Sequence, residues 1–272
     1  MKNRFVIMAL AAALVAALLP SCSVKEDRTP CPAYLYVTYP DKVNYRGDVG
    51  VLGWSSELLF RATAPIDECE PYYMRAVKRG TFEVATYNGV RRAEPAGRTV
   101  TQAPGHEADS LYAYHERVGV NAFDEIWVET DFKKQFSTVH LQVLGEEVEG
   151  ISLKDYRFLV ESGWCGADVV DYGAVEGPFR CEPEVPEEGT EVAFRVYRQG
   201  NDGMTLTIWS THFGVPRRIG KFPIGEYIQQ TDFDWTAESL EDIWIRIDFA
   251  LGVVDVFVDP WENGERFMLV KI

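Results

Sequence analysis

The stretch STVHLQVL, residues 137–144, decides how the chain is read. Val139, Leu141 and Val143 alternate with Thr138, His140 and Gln142, the period-two pattern of a strand with one face buried. The same beat recurs upstream in YLYVTY (34–39), TFEVATY (81–87) and EIWVET (125–130). Downstream it returns in YRFLVES (156–162), TEVAFRVYR (190–198), MTLTIWS (204–210), DIWIRIDFA (242–250) and VVDVFVDPW (253–261). Turn-rich segments such as NGVRRAEPAGR (88–98) and TQAPGHEAD (101–109) separate these runs. Short strands at this spacing, divided by Gly, Pro and Asn turns, specify an all-β fold made of β-sandwiches.

Alternation stops at the acidic GEEVEG (145–150) and resumes after it, so two sandwich domains are expected, 31–147 and 148–272. In the second, FPIGEYIQQTDFDW (222–235) has helical spacing through Ile224, Tyr227 and Ile228 and predicts a short helix. Asn263-Gly264, between VVDVFVDPW and RFMLVKI, is a two-residue type I′ signal and predicts a closing hairpin. Trp127, Trp209 and Trp244 fall inside strands, where core packing is the expected fate.

The N-terminus carries a different instruction. Lys2 and Arg4 precede an apolar run from Phe5 to Leu19, too short for a relaxed span of about 20 residues. Basic start, apolar middle and small-residue exit together read as a secretory signal over 1–21. Leu19-Pro20-Ser21-Cys22 fits a lipobox, in which Cys22 becomes the mature N-terminus and is acylated; two or more acyl chains hold a protein on a membrane. Ser23 to Thr29 has no apolar periodicity and four charges, so 22–30 is expected to be a lipidated, solvated tether. Lys25-Glu26-Asp27 resembles a short export signal of outer-surface lipoproteins.

Composition excludes several functions. The net charge of −15 falls further when the leader with Lys2 and Arg4 is removed, and so acidic a chain repels phosphate backbones. Nucleic acid is therefore not an expected partner. Histidines 106, 115, 140 and 212 are scattered, with no metal-ligand spacing. VESGWCG (160–166) lacks the first glycine of a nucleophile elbow, and there is no Walker A loop or Gly-x-Gly-x-x-Gly. NDG (201–203) and RGD (46–48) read as turns. No catalytic residue, metal or cofactor is expected. Cys31, Cys69, Cys165 and Cys181 are candidate disulfide cysteines, since export permits oxidation, and only Cys31–Cys69 with Cys165–Cys181 keeps each bridge within a domain; buried free thiols are an equally ordinary outcome.

CSVKEDRTPCPAYLYV (22–37) resembles the opening of the FimB-type fimbrial anchor lipoproteins: a lipid cysteine, a charged tether and a Cys-Pro leading into the first strand. ADSLYAYHERVGV with VETDFKKQFSTVHLQV, and IGKFPIGEYIQQTDFDWTAESLEDIWIRIDFA, are similar to later parts of that family. The chain has a single Cys31-Pro32 where many members have Cys-Pro-Cys. The resemblance implies two transthyretin-like sandwiches in tandem. It also implies an outer-membrane lipoprotein at the base of a type V pilus, fixing the fimbrium to the surface and limiting its length. The implied partner is a pilin, engaged by β-strand complementation. Phe267, Met268, Leu269, Val270 and Ile272, at the apolar C-terminal end, are the candidate exchanging strand, against the simpler reading that they pair in their own hairpin. A surface glycan-binding lipoprotein, stacking exposed Trp or Tyr on sugars, is the alternative.

Overall fold

The computed structural model describes residues 31–120, 124–144, 153–187, 189, 191–212, 214–248, 253–258 and 268–271. They form two β-sandwiches and one short helix. The first sandwich packs a three-stranded sheet, β4 (Tyr73–Val77), β1 (Ala33–Thr38) and β9 (Glu125–Glu129), on a five-stranded sheet. That second sheet runs β10 (Lys133–Lys134), β8 (Tyr112–Gly119), β5 (Thr81–Asn88), β2 (Asp48–Trp54) and β3 (Leu58–Pro65). Alternation places Leu35, Val37, Val51, Val84, Val118 and Val128 between the layers, all buried.

The second sandwich faces the sheet β14 (Glu191–Tyr197), β11 (Phe136–Leu144), β17 (Ile243–Asp248), β18 (Val253–Val258) and β19 (Met268–Lys271) onto a six-stranded one. Its partner layer runs β16 (Arg217–Phe222), β15 (Thr205–Ser210), β12 (Tyr156–Asp168), β7 (Thr99–Thr101) and β6 (Glu94–Ala96), with β13 (Ala174–Cys181) also paired to β12. The predicted helix is α1 (Ile224–Gln229), whose Ile224, Tyr227 and Ile228 lie on the core.

The two sandwiches repeat one topology. In each, the opening strand sits between an antiparallel neighbour and a parallel one: β1 between β4 and β9, β11 between β14 and β17. In each opposing layer, a strand pairs with the one after it and with a third that carries a fourth: β2 with β3 and β5, then β8; β12 with β13 and β15, then β16. Beyond that frame the described residues differ in three places: β10 extends β8 where β16 ends its sheet, the β6–β7 hairpin joins β12 but not β2, and the edges beyond β9 and β17 are unlike. β17 is covered by β18 and β19, whereas among the described residues β9 ends its sheet.

The sandwiches are joined by more than a linker. The β6–β7 hairpin, which belongs to the first half in sequence, crosses over and pairs β7 with β12 of the second. A third apolar cluster fills the junction with Leu52, Tyr87, Val100, Leu111, Phe136, Ala167 and Tyr197. Asp109 accepts the backbone N–H groups of Arg91, Arg92 and Ala93 at 2.7, 2.7 and 2.8 Å, fixing the base of the crossing hairpin. Buried Arg198 donates to Gln135 Oε1 at 2.8 Å and to the carbonyls of Trp235 and Glu238 at 2.7 and 2.9 Å.

Register also adjusts two expectations. The boundary at 147/148 lies outside the described residues, but the chain changes sandwich earlier, at Gln135, between β10 and β11. The alternation of STVHLQVL is uninterrupted there, and only pairing shows that β11 partners strands that follow it. The disulfide pairing is corrected: all four described cysteines are free. Cys31 precedes the Ala33↔Val77 end of the β1–β4 ladder and Cys69 lies beyond its Val37↔Tyr73 end, at least about 13 Å of strand away. Cys181 pairs opposite Val160, five residues from Cys165, about 16 Å along β12. A bridge needs Cα atoms within about 7 Å.

Two outcomes are expected. Gly166 faces Thr101, and a methyl group there would lie 2.5 Å from the Val100 carbonyl oxygen. Gly166→Ala should therefore push the crossing hairpin off β12 and cost about 1–3 kcal/mol, read as a lower urea midpoint; an unchanged midpoint would show the hairpin does not seat there. Burial pushes the Cys181 thiol up to about 12. Native alkylation at pH 8 should then label exposed Cys31 while sparing Cys181 until the chain unfolds, as mass spectrometry of digested protein would show.

Candidate functional site

The solvent face of the three-stranded sheet carries the largest group of exposed aromatic residues among the described residues. In strands, successive side chains alternate faces, so Leu35, Val37 and Val128 point inward while Tyr34, Tyr36 and Trp127 point out. The parallel β1–β9 register sets Tyr36 directly beside Trp127. Their rings stack with centroids 4.4 Å apart and planes 10° from parallel. Tyr72 stands edge-on to both, 4.9 Å from Tyr36 and 5.4 Å from Trp127. Such offset and edge geometries suit the ring quadrupoles. Even so, Trp127 remains 55% exposed, Met74 53%, Tyr34 42% and Tyr72 37%. The expectation that Trp127 packs in the core is thus corrected: on β9 it takes the odd position between Ile126 and Val128. Trp209 and Trp244 are also only partly buried.

The rim is acidic. Glu125 and Glu129 flank Trp127 on β9 and are exposed. Burial first, then the charge of Glu125, holds the Tyr36 hydroxyl above its ordinary pKa, so it stays a protonated donor at neutral pH. Backbone direction follows from two bonds. Tyr34 N–H donates to the Asp124 carbonyl at 2.8 Å, and Thr130 N–H donates to the Thr38 carbonyl at 3.1 Å. Even-numbered residues of this segment therefore turn their amide groups toward β1, and Glu125, Trp127 and Glu129 turn theirs to the open edge.

The second sandwich holds the same arrangement, covered. His140 lies beside Trp244 in the parallel β11–β17 register, and the two rings stack at 4.8 Å and 5°. There β18 pairs with β17, setting Phe257 opposite Trp244. The recurrence is written in the chain itself: DEIWV at 124–128 and EDIWI at 241–245 are the same acidic, acidic, Ile, Trp, aliphatic sequence, a signal that period-two alternation alone does not expose.

The other candidates separate. Met268, Leu269 and Val270 pair in β19 with Val256, Asp255 and Val254, within their own sheet. Phe267, Ile272, the Asn263-Gly264 turn, the leader and Cys22 lie outside the described residues. Ser162 sits inside β12 and donates to Gln199 rather than to a histidine. Asn201 Oδ1 accepts the Gly203 N–H at 2.9 Å, closing the turn read from NDG. No cluster of three or more His, Cys, Asp or Glu side chains forms among the described residues.

No family model matches the chain, and neither does any curated protein. Solved structures do. The fimbrial anchor protein Mfa2 from Porphyromonas gingivalis superposes with a TM-score of 0.61 at 11% identity, covering 85% of this chain and 98% of that one. A candidate polysaccharide-binding protein from Bacteroides thetaiotaomicron reaches 0.59 at 9% identity over 89% and 98%. A candidate adhesin from Bacteroides ovatus reaches 0.59 at 11% over 88% and 95%. At such identities the likeness is one of fold, and this chain shares the tandem β-sandwich architecture of those proteins along nearly all of their length.

Proposed function

We propose that this protein is a fimbrial anchor: an outer-membrane lipoprotein, acylated at Cys22, that fixes a type V pilus to the cell surface and limits its length. The observation that carries the reading is the superposition on a fimbrial anchor protein across 98% of that chain, in a sequence whose N-terminus has the lipobox Leu19-Pro20-Ser21-Cys22. The contact with the pilin is a strand complementation, for which an all-β molecule with open sheet edges is suited. The proposal assigns no catalytic step and no cofactor. The glycan-binding reading draws on one specific observation, the exposed Tyr36–Trp127–Tyr72 group.

The test is at the lipid. Cys22→Ala should leave the fold intact and abolish incorporation of labelled palmitate, and fimbriae should appear in the culture medium instead of on sedimented cells. Fimbriae that stay on cells carrying Cys22→Ala would count against the anchoring role.

A further inference from the structure

We propose that the outer edge of β9 is an acceptor for one antiparallel β-strand of a fimbrial subunit, seated with an apolar or aromatic residue opposite Trp127. The inference deepens the anchoring reading and rests on it for the identity of the partner.

Its warrant is the mismatch between the two halves. An open edge alone signals nothing: among the described residues β4 and β14, at the opposite end of the two equivalent sheets, are terminal in both copies. β9 and β17 are also equivalent, by their parallel pairing to the opening strand, by the stacked aromatic pair and by the Ile-Trp-aliphatic sequence. Yet β17 is covered by an antiparallel strand, in the register Ile243↔Val258, Trp244↔Phe257, Ile245↔Val256. The second half thus displays what the first half's edge takes. By correspondence, an incoming strand would place its residues opposite Ile126, Trp127 and Val128, and would pair with the amide groups that Glu125, Trp127 and Glu129 hold outward.

The aromatic pair by itself does not distinguish a strand from a sugar, because a stacked pair occurs in the covered half too. What differs between the halves is the coverage, and in the covered half a strand supplies it. The chain's own C-terminal strand is already committed, since Met268–Lys271 pairs with β18. Glu125 and Glu129 bracket the edge with negative charge, the way natural edges resist indiscriminate pairing, and they favour a partner strand with basic flanks.

Two variants of the full mature chain test this, with a synthetic peptide of residues 252–259 carrying Asp255→Asn and Asp259→Asn as the probe, because it spans the strand that fills the equivalent edge and its two aspartates would otherwise fall opposite Glu129 and Glu125. Glu129→Pro removes one outward N–H, leaves the β1 ladder untouched and keeps the Trp127 ring. Trp127→Ala keeps the backbone and removes the ring. Both should retain the wild-type melting temperature within a few degrees and bind the peptide at least tenfold more weakly. In the wild type, peptide should slow hydrogen exchange at the amides of Trp127 and Glu129. Equal peptide binding by wild type and Glu129→Pro would overturn the acceptor edge. So would a panel of neutral oligosaccharides that binds wild type and Glu129→Pro alike but is lost in Trp127→Ala. In cells, Glu129→Pro should release fimbriae while still incorporating palmitate. Fimbriae retained by that variant would overturn the assignment of the fimbrial subunit as occupant, and the Cys22→Ala result would stand apart from it.

Discussion

The Asp109 carboxylate is the contact on which the arrangement of the two halves depends. Three successive backbone amides, from Arg91 to Ala93, converge on one oxygen, while the Asp109 N–H itself donates to the Tyr197 hydroxyl of the second sandwich. A charged acceptor satisfying several amides is stronger than neutral pairs, and its burial makes any alternative loop path costly. The loop so fixed launches the β6–β7 hairpin, which completes the other sandwich's sheet and brings Val100 into the shared cluster. Arg198 and Gln135 close the opposite side, where the chain passes from one sandwich to the next. Burial pushes the Arg198 guanidinium down to about 10, still charged at physiological pH, and it is held by Gln135 and two carbonyls.

Because the halves are fused in this way, the difference between them has a definite geometry. Seven strands correspond one to one, and besides the crossing hairpin, β10 and the helix, the halves differ in what lies beyond β9 and β17. In one copy β18 continues the sheet beside Trp244, whose ring is partly buried, and in the other Trp127 stands in solvent at the last described strand. Among the described residues one copy of a shared framework ends where the other continues, and that edge is the natural place to look for an external partner.

Much of the architecture could be read from periodicity. Val139 and Leu141 of STVHLQVL, TFEVATY and the Ile243–Asp248 part of DIWIRIDFA lie in strands with the expected faces inward, and Ile224, Tyr227 and Ile228 form the buried face of a helix. What periodicity cannot reveal is partnership. Parity tells which face of a strand is apolar, yet it is silent on which strand lies alongside, so neither the crossing hairpin nor the switch at Gln135 could be foreseen. Trp127 shows the same limit from the other side. In EIWVET both faces of the strand carry apolar residues, and assigning the tryptophan inward required ignoring that Ile126 and Val128 already occupied the core side. The cysteines failed on distance: membership of one domain says nothing about register, and register set each proposed pair far apart.

One consequence of the β1 position is mechanical. The strand follows directly on the segment that leads from Cys22, and it lies between β4 and β9 with ladders on both sides. In the anchoring role proposed above, tension on a fimbrium would enter the domain along the axis of β1. Pulled that way, the ladders on either side are loaded in shear, so their hydrogen bonds bear the force together rather than parting one after another like a zip. A three-stranded sheet that looks slight beside its neighbours is, for a pull in that direction, the part of the molecule best placed to hold.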